Sequence, residues 1–325
     1  MTLRDVNERG KPMHQAKYDQ LTNCIAKWVA QDCRPLNVVE DDGLQKLIRC
    51  ASGNEAYVMP SRKTISTRIS TLYESEIVKI QGLLSNADHI ALTTDYWTSV
   101  ANESYLGVTA HFLTEKWNYQ ATVIGVYVME DRHFADLIAQ HISGVIDEWQ
   151  LSSKVTTIRT DNAFNMINAV KKMPYQSLPC VAHALQLSVK KGMGDAGVEN
   201  VVAKCRKIVG LFKHSAANFT ELKMELTISH LPAESPIQDV ATRRNSTFIM
   251  IERFLKQHEA LLSVLRNPSH KHKLSLPTEA ELEKLRVLKT LLEPCKRATE
   301  LLGGEKYVSC SVVLPCLMYL LKRMK

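Results

Sequence analysis

The sequence predicts an α/β fold in which a mixed β-sheet is preceded and followed by helical segments. Apolar and polar residues alternate along segments between residues 89 and 129, as they do in half-buried strands. Before and after that region, apolar residues recur at helical spacing. The chain has 325 residues and 45% apolar content, which is enough to bury a sizeable core.

Residues 1–85 are predicted to form a helical N-terminal region. Apolar side chains at helical spacing indicate a helix over Ala16–Val29, which ends before Pro35. A short helix is expected over Asp42–Cys50 and a longer one over Ser66–Leu84, after an entry segment that begins at Pro60.

Residues 86–195 are predicted to form the sheet and its connecting helices. The expected strands are His89–Trp97, Ser104–Leu113, Tyr119–Met129, Lys154–Thr160 and Ser177–Val181, and the expected helices are Phe134–Trp149, Ala163–Met173 and a last one that runs to about Lys191. Three strands followed by strands alternating with helices is the order of an RNase H-like fold, in which the first strand lies beside the fourth. Residues 196–325 are predicted to be helical to the end.

Composition narrows the class of protein. No apolar run approaches the length of a membrane span, and the first residues lack the apolar core of a secretory signal, so a nuclear or cytosolic protein with reduced thiols is expected. No two of the eight cysteines have the spacing of a zinc-binding turn, so no zinc site is expected. The net charge of +7 favours a polyanionic partner, although such an excess is also common in proteins that bind no nucleic acid.

Two aspartates stand at the ends of strands that are predicted to be neighbours. Asp95 is near the end of the first strand and Asp161 is at the end of the fourth. Neighbouring parallel strands would bring both carboxylates to one sheet edge, where with a third acid they could hold two Mg²⁺ ions about 3.5–4 Å apart for phosphodiester chemistry. The alternative is that both aspartates only end strands and cap helices.

Three motifs around these aspartates carry a family resemblance. They are ALTTDYWTS at Ala91–Ser99, TDNAFNM at Thr160–Met166 and PCVAHALQL at Pro179–Leu187. Their order and spacing resemble those of hAT transposases. LNVVEDDGL at Leu36–Leu44 and MPSRKTI at Met59–Ile65 look like the helical region that precedes the catalytic core in that family.

The resemblance implies roles for individual residues. Asp95 and Asp161 match the family's first two metal-binding aspartates, while Cys180 and His183 match residues that lie near the DNA backbone. Trp97 and Asn162 belong to the same motifs.

Basic residues supply further candidates for DNA contact. Arg62, Lys63 and Arg68 surround the start of a helix in the part that resembles the family's DNA-contacting region, which makes phosphate contacts expected. A later stretch matches a family segment that usually reads Thr-Arg-Trp-Asn-Ser-Thr. Arg243 occupies its arginine and Arg244 stands where the family prefers tryptophan; a guanidinium there can stack on bases or pair with phosphate.

Several family features are not found in the sequence. The third catalytic carboxylate of the family follows a long helical insertion, and the chain is expected to end inside a truncated form of that insertion. Glu252, Glu281 and Glu293 are expected to be ordinary solvated helix residues. Neither a BED zinc finger nor the C-terminal dimerisation segment is recognised. We therefore expect no DNA cleavage, with Mg²⁺ as the cofactor of any activity that remains.

Three functions stay open at this point. The first is a catalytically inactive, transposase-derived nuclear protein that binds DNA or chromatin and regulates transcription, with self-association or association with full-length relatives and no membrane partner. The second is a fragment or isoform of an active, metal-dependent hAT transposase. The third is a protein-interaction module without a DNA role, which predicts no salt-dependent binding to duplex DNA.

Overall fold

The structure is a computed structural model that describes residues 12–129, 135–240, 243–267, 274–304 and 310–323. The chain divides into two compact units, Met1–Asn86 and Ala87–Lys325. The second unit includes both the sheet and the later helices, for which the sequence predicts separate regions. No helix in the described ranges is long and apolar enough to cross a membrane.

The first unit is helical, as expected. It contains α1 (Gln15–Gln31), a short 3₁₀ helix (Leu36–Glu40), α2 (Asp42–Ser52) and α3 (Arg62–Ser85). Its core is a cluster of buried side chains from α1, the 3₁₀ helix and α3, namely Ile25, Ala26, Val29, Val39 and Ile65. The structure starts α3 four residues before the predicted start at Ser66, because Ser61 caps the helix by accepting a hydrogen bond from the Thr64 amide at 3.2 Å.

The second unit begins with the alternating strands and helices predicted from the sequence. In chain order these are β1 (Ile90–Thr98), β2 (Ser104–Leu113), β3 (Tyr119–Met129), α4 (Ala135–Glu148), β4 (Val155–Thr160), α5 (Phe164–Lys171), β5 (Gln176–Pro179) and α6 (Val181–Asp195). Most bounds lie within one or two residues of the expected ones. Phe134, the expected start of α4, lies outside the described residues.

The five strands form one sheet in the order β3-β2-β1-β4-β5. β1 pairs antiparallel with β2 and parallel with β4, and β4 pairs parallel with β5. The predicted central position of β1 beside β4 is confirmed. This mixed sheet with flanking helices is the RNase H-like α/β core expected from the order of elements.

The two faces of the sheet differ in burial. The inner face carries the buried side chains Ile90, Leu92, Leu106, Val108, Ala110, Phe112 and Ile158, and α4 and α5 contribute buried apolar residues such as Ile142 and Val170. The opposite face, called the outer face here, carries Ala91, Thr93, Asp95 and Trp97 of β1, their partners His111, Thr109, Gly107 and Tyr105 of β2, and Arg159 of β4. These residues are half-buried or exposed. The more accessible face therefore carries Asp95.

The rest of the second unit is helical, as predicted. It contains α7 (Glu199–Lys213), α8 (Ala216–Ile228), α9 (Ser246–Arg266), α10 (Glu279–Leu302) and α11 (Cys310–Arg323). Apolar residues of α7 to α10 share one buried cluster, and α6, α10 and α11 share a second. α10 begins with a capping box in which Thr278 and Glu281 exchange side-chain to backbone hydrogen bonds.

Candidate metal and nucleic-acid site

Asp95 lies on the outer face of β1, directly opposite Gly107 of β2. Its side chain is exposed, and its Oδ1 accepts a hydrogen bond from the Tyr96 amide at 3.0 Å. No ion pair involves this carboxylate among the described residues. The other carboxylate oxygen is therefore available for a ligand.

Asp161 follows directly after the last residue of β4 and is half-buried. Its Oδ1 accepts a hydrogen bond from the Ala163 amide at 3.1 Å and so shapes the turn that leads into α5. This is the local structural role that the sequence left open as an alternative. It uses only one of the two carboxylate oxygens, so it does not prevent the residue from binding a metal.

The pairing of β1 with β4 places the two aspartates at the same end of the strand pair. Thr93 of β1 is aligned with Arg159 of β4 in the parallel pair. Asp95 lies two residues after Thr93, and Asp161 lies two residues after Arg159, just past the end of β4. Neighbouring strands lie about 4.8 Å apart, so the two aspartates belong to one region of the sheet.

This pair fits part of a magnesium site. Two carboxylates without a cationic partner among the described residues provide the hard oxygen donors that Mg²⁺ prefers, and the next residue, Asn162, has a buried Oδ1 without a hydrogen-bond partner. The described residues contain no cluster of three or more acidic, histidine or cysteine side chains that could hold a metal. Asp95 and Asp161 would hold the ion, which when bound would stabilise charge on a phosphate oxygen.

The three glutamates that the sequence analysis expects to be ordinary helix residues each form an ion pair. The Lys204 ammonium lies 2.7 Å from the Glu281 carboxylate and lowers the pKa of that carboxyl group. Glu281 also completes the capping box of α10. Glu252 pairs with Lys289, and Glu293 pairs with Arg297. Each of the three thus has a local ion-pair partner.

The third motif lies at the start of α6, beside β4. Cys180 is the residue before this helix, and its Sγ accepts a hydrogen bond from the Arg159 guanidinium at 3.2 Å. His183 lies half-buried in the first turn. Because Arg159 lies on β4 two residues before Asp161, the motif lies near the end of the strand that leads to Asp161.

The basic residues Arg62, Lys63 and Arg68 of the first unit differ in whether they form ion pairs. The Arg62 guanidinium pairs with Glu40 at 2.7 Å, and that of Arg68 pairs with Asp19 at 3.4 Å. Lys63 is exposed and has no ion-pair partner among the described residues. The two arginine pairs are largely solvent-exposed, so they are weak and can exchange for a phosphate.

Arg243 and Arg244 are exposed in the turn that precedes α9. The turn is held by Asn245, which has a left-handed backbone with φ of 62° and whose Oδ1 accepts a hydrogen bond from Thr299 of α10. Ala241 and Thr242, which belong to the same sequence motif, lie outside the described residues. Arg243 lines a cavity of about 690 Å³ together with Lys190 and Arg206, and Glu199 and Asp239 line the same cavity.

Sequence reasoning missed a chain of polar contacts on the outer face. Thr93 Oγ1 lies 2.8 Å from His111 Nε2, and His111 Nδ1 lies 2.6 Å from the Tyr119 hydroxyl. Burial lowers the pKa of His111, and the positive charge of Arg159 lowers it further. The signal available in the sequence was polar residues at alternate positions of β1 and β2, without any indication that they form contacts.

Comparisons with known proteins agree with this architecture. The family model for the ZBED1 RNase-like domain matches residues 93–186, and the model for the ZBED1 RNase-like helical domain matches residues 178–291. Together they span residues 93–291, which is more than half of the chain. Fold and matched family models define a protein with a ZBED1-type RNase-like core.

Full-length relatives extend the match. The chain is 26% identical to the "Putative AC transposase" of Zea mays over 96% of its own length and 28% identical to the "Putative AC9 transposase" of Zea mays over 81%. It is 24% identical to the "Zinc finger BED domain-containing protein 4" of Homo sapiens over 79%. It spans 41%, 33% and 23% of the lengths of these three relatives. The chain belongs to the hAT/BED transposase-derived proteins.

Proposed function

We propose that this chain is a nuclear, transposase-derived protein that binds DNA or chromatin, and that its 325 residues alone neither cut nor join DNA. The observation that carries the proposal is that Asp95 and Asp161 lie at the same end of the β1 and β4 pair, where neither is fully buried. Two carboxylates without a cationic partner among the described residues suit a divalent ion that bridges to a phosphate. Regulation of transcription is the role that fits such binding without cleavage.

The proposed lack of cleavage follows from the size of the acidic set. In-line displacement at phosphorus is stabilised by two metal ions held by several carboxylates, whereas the described residues offer one pair. Two carboxylates bind Mg²⁺ weakly because the ion keeps most of its water. Arg62, Lys63, Arg68, His183, Arg243 and Arg244 remain the proposed DNA contacts.

A second candidate function is supported by the same pair. In an active transposase, a third carboxylate outside these 325 residues would complete the site. The placement of Asp95 and Asp161 at one end of the β1 and β4 pair favours this candidate, and so does the similarity to two maize proteins named as putative transposases. A longer form of the protein that nicks DNA with Mg²⁺ would support it.

Salt-dependent DNA binding tests the proposal. The affinity for a duplex is measured by fluorescence anisotropy over a series of salt concentrations. Each phosphate contact contributes about −0.9 to the slope of log K against log salt, so Lys63→Ala is expected to make the slope shallower by about one. The matched control is Lys79→Ala, on the same helix but far from its start at Arg62.

The outcomes separate the candidates. A steep slope that Lys63→Ala reduces and Lys79→Ala leaves unchanged supports DNA binding through the start of α3. A slope that Lys63→Ala does not change contradicts this contact. If the wild-type chain shows no salt-dependent binding, the protein-interaction function is favoured instead.

A further inference from the structure

β3 is the strand at one edge of the sheet. It pairs with β2 on one side and with no other strand among the described residues. A strand edge presents backbone N–H and C=O groups to which another strand can pair, and proteins usually protect such edges with charged residues or a proline. The eleven residues of β3 include neither. This edge therefore lacks the usual protection against the addition of a strand.

The edge strand is accessible on its outer face and anchored on its inner face. Val123, Val126 and Val128 of the outer face are 58%, 54% and 52% exposed, so no helix covers them. On the inner side, the indole of Trp149, the residue directly after α4, donates a hydrogen bond to the Ile124 carbonyl at 2.8 Å. This bond holds the end of α4 beside β3.

A groove lies between β3 and α4. Its volume is about 420 Å³, and its lining includes Tyr127 of β3 and Leu137, His141, Gly144 and Glu148 of α4. Successive side chains of a strand alternate between faces, so Tyr127 points to the opposite face from its exposed neighbours Val126 and Val128. A strand added to β3 would accordingly direct every second side chain toward this groove.

Two glycines leave room in the groove. A Cβ atom at Gly144 would meet no atom within 4 Å, so this position of α4 opens onto empty space. A Cβ atom at Gly125 would overlap Cε2 of Tyr127, which shows that the Tyr127 ring lies back over its own strand. The space beside α4 is therefore left for a side chain from another segment.

The groove carries a single negative charge. Glu148 is the one carboxylate in its lining, and no lysine or arginine lines it. The Glu148 carboxylate accepts a hydrogen bond from the Tyr127 hydroxyl at 3.1 Å and has no ion-pair partner among the described residues. A cationic side chain that enters the groove would complement this charge. Because Glu148 is exposed, the pair would contribute selectivity more than affinity.

This charge distinguishes between two possible occupants of the edge. The β3 strand of a second copy could pair with β3, but it contains no basic residue to meet Glu148. An extended peptide that carries a lysine or arginine satisfies both the unpaired strand edge and the carboxylate. The observations therefore favour the peptide.

We propose that the groove between β3 and α4 binds an extended peptide segment of a partner protein, which adds a strand to β3 and places a lysine or arginine side chain beside Glu148. In such strand addition, main-chain hydrogen bonds provide the affinity and pockets for alternate side chains provide the specificity. The groove contains neither Asp95 nor Asp161. The inference goes beyond the proposed function and does not depend on DNA binding.

The test uses a phage-displayed library of random ten-residue peptides, selected on the purified chain. Selected peptides are expected to share a lysine or arginine at one fixed position. Gly144→Leu should weaken their binding, measured by fluorescence anisotropy, by at least about tenfold because the new side chain fills the groove. Leucine is a better helix former than glycine, so this variant should stay folded. The matched control is Gly82→Leu on α3, where a Cβ atom also meets no atom within 4 Å.

Two further measurements separate the parts of the proposal. A library selected on Glu148→Lys is expected to replace the fixed basic residue by an acidic one. Hydrogen exchange of the wild-type chain with a selected peptide should be slowed at alternate amides of β3, since every second residue of an edge strand points its N–H outward.

The outcomes decide between the occupants. Peptides that bind wild type and Gly144→Leu equally, or that leave the exchange of β3 unchanged, overturn the proposal. A dimer in sedimentation that Gly144→Leu dissociates would assign the edge to a second copy and would overturn it as well. The same variants are expected to bind duplex DNA like wild type. A wild-type chain that binds the peptides but no DNA would contradict the proposed function alone.

Discussion

At the scale of single residues, Asp95 and Asp161 have a local structural role beside the metal-binding role proposed for them. Asp95 and Asp161 each use one oxygen to accept a backbone hydrogen bond, at 3.0 and 3.1 Å. These bonds orient the carboxylates before any ligand arrives, which reduces the entropic cost of binding. The remaining oxygens are the ones that a metal ion would contact.

A lanthanide ion can report on this pair. Tb³⁺ prefers oxygen ligands, and its luminescence is sensitised by a nearby indole such as that of Trp97. We expect Tb³⁺ luminescence excited through tryptophan to saturate in the wild-type chain, to be displaced by excess Mg²⁺, and to need at least about tenfold more Tb³⁺ in Asp95→Asn or Asp161→Asn. Asp88→Asn is the control, because Asp88 is exposed just before β1. Unchanged luminescence in both pair variants would contradict the site.

His111 gives the stability of the sheet a pH dependence. Burial and the charge of Arg159 lower its pKa below the ordinary value of 6.5. The unfolded chain therefore takes up a proton at a higher pH than the folded chain, so stability is full above about pH 6.5 and declines as the pH falls toward the lowered pKa.

Urea unfolding at a series of pH values measures this decline. His111→Gln should flatten the change in unfolding free energy between about pH 5 and pH 7, whereas His89→Gln, at an exposed position before β1, should leave the decline as it is. An identical decline in wild type and His111→Gln would show that His111 is not its source.

Single residues differ in how far the sequence predicted them. The positions of Asp95 and Asp161 followed from motifs at predicted strand ends, because a strand end fixes where its next side chain lies. The contacts between Thr93, His111 and Tyr119 did not follow, since they join three strands and depend on the register of all of them. Local patterns carry no information about such a register beyond which face is buried.

At the scale of elements, the β1 and β4 pair determines the site. The sequence predicted both strands to within one residue. The 3₁₀ helix at Leu36–Glu40 was not predicted, because i to i+3 hydrogen bonding over five residues leaves no repeating apolar pattern. The sequence placed the start of α3 at Ser66 instead of Arg62 for a related reason, because the first turn of this helix is polar.

One ion pair links α7 to the segment that precedes α9. The Arg206 guanidinium donates two hydrogen bonds to Asp239, at 2.7 and 2.6 Å, and this lowers the pKa of the Asp239 carboxyl group. The Asp239 side chain is only 2% exposed. Among the described residues, removing the arginine would leave the buried carboxylate with Thr247 as its remaining side-chain donor.

We therefore expect Arg206→Ala to lower the free energy of unfolding by about 3 kcal/mol. Lys207→Ala, an exposed neighbour on the same helix, should change it by less than about 0.5 kcal/mol. The loss in Arg206→Ala should shrink when the pH falls below about 4, where the unfolded carboxyl group also becomes protonated. The measurement is the midpoint of urea unfolding for each variant. Equal midpoints for Arg206→Ala and Lys207→Ala would show that the Arg206 and Asp239 pair does not stabilise the fold.

At the scale of the whole molecule, an RNase H-like core is combined with helical regions before and after it in the chain. The residues matched by the two family models contain both aspartates and Arg243 and Arg244, while Arg62, Lys63 and Arg68 lie before them. The chain spans less than half the length of the relatives it matches. We propose that these residues supply the binding of DNA.

The most direct test incubates supercoiled plasmid with the purified chain and Mg²⁺. Samples taken before and after removal of the protein are then compared on one agarose gel. We predict that the bound plasmid migrates more slowly and that, after protein removal, it is still fully supercoiled. Nicked plasmid that disappears with Asp95→Ala would show that the chain cleaves DNA and would contradict the proposed lack of catalysis. Plasmid that is neither retarded nor nicked would contradict DNA binding itself.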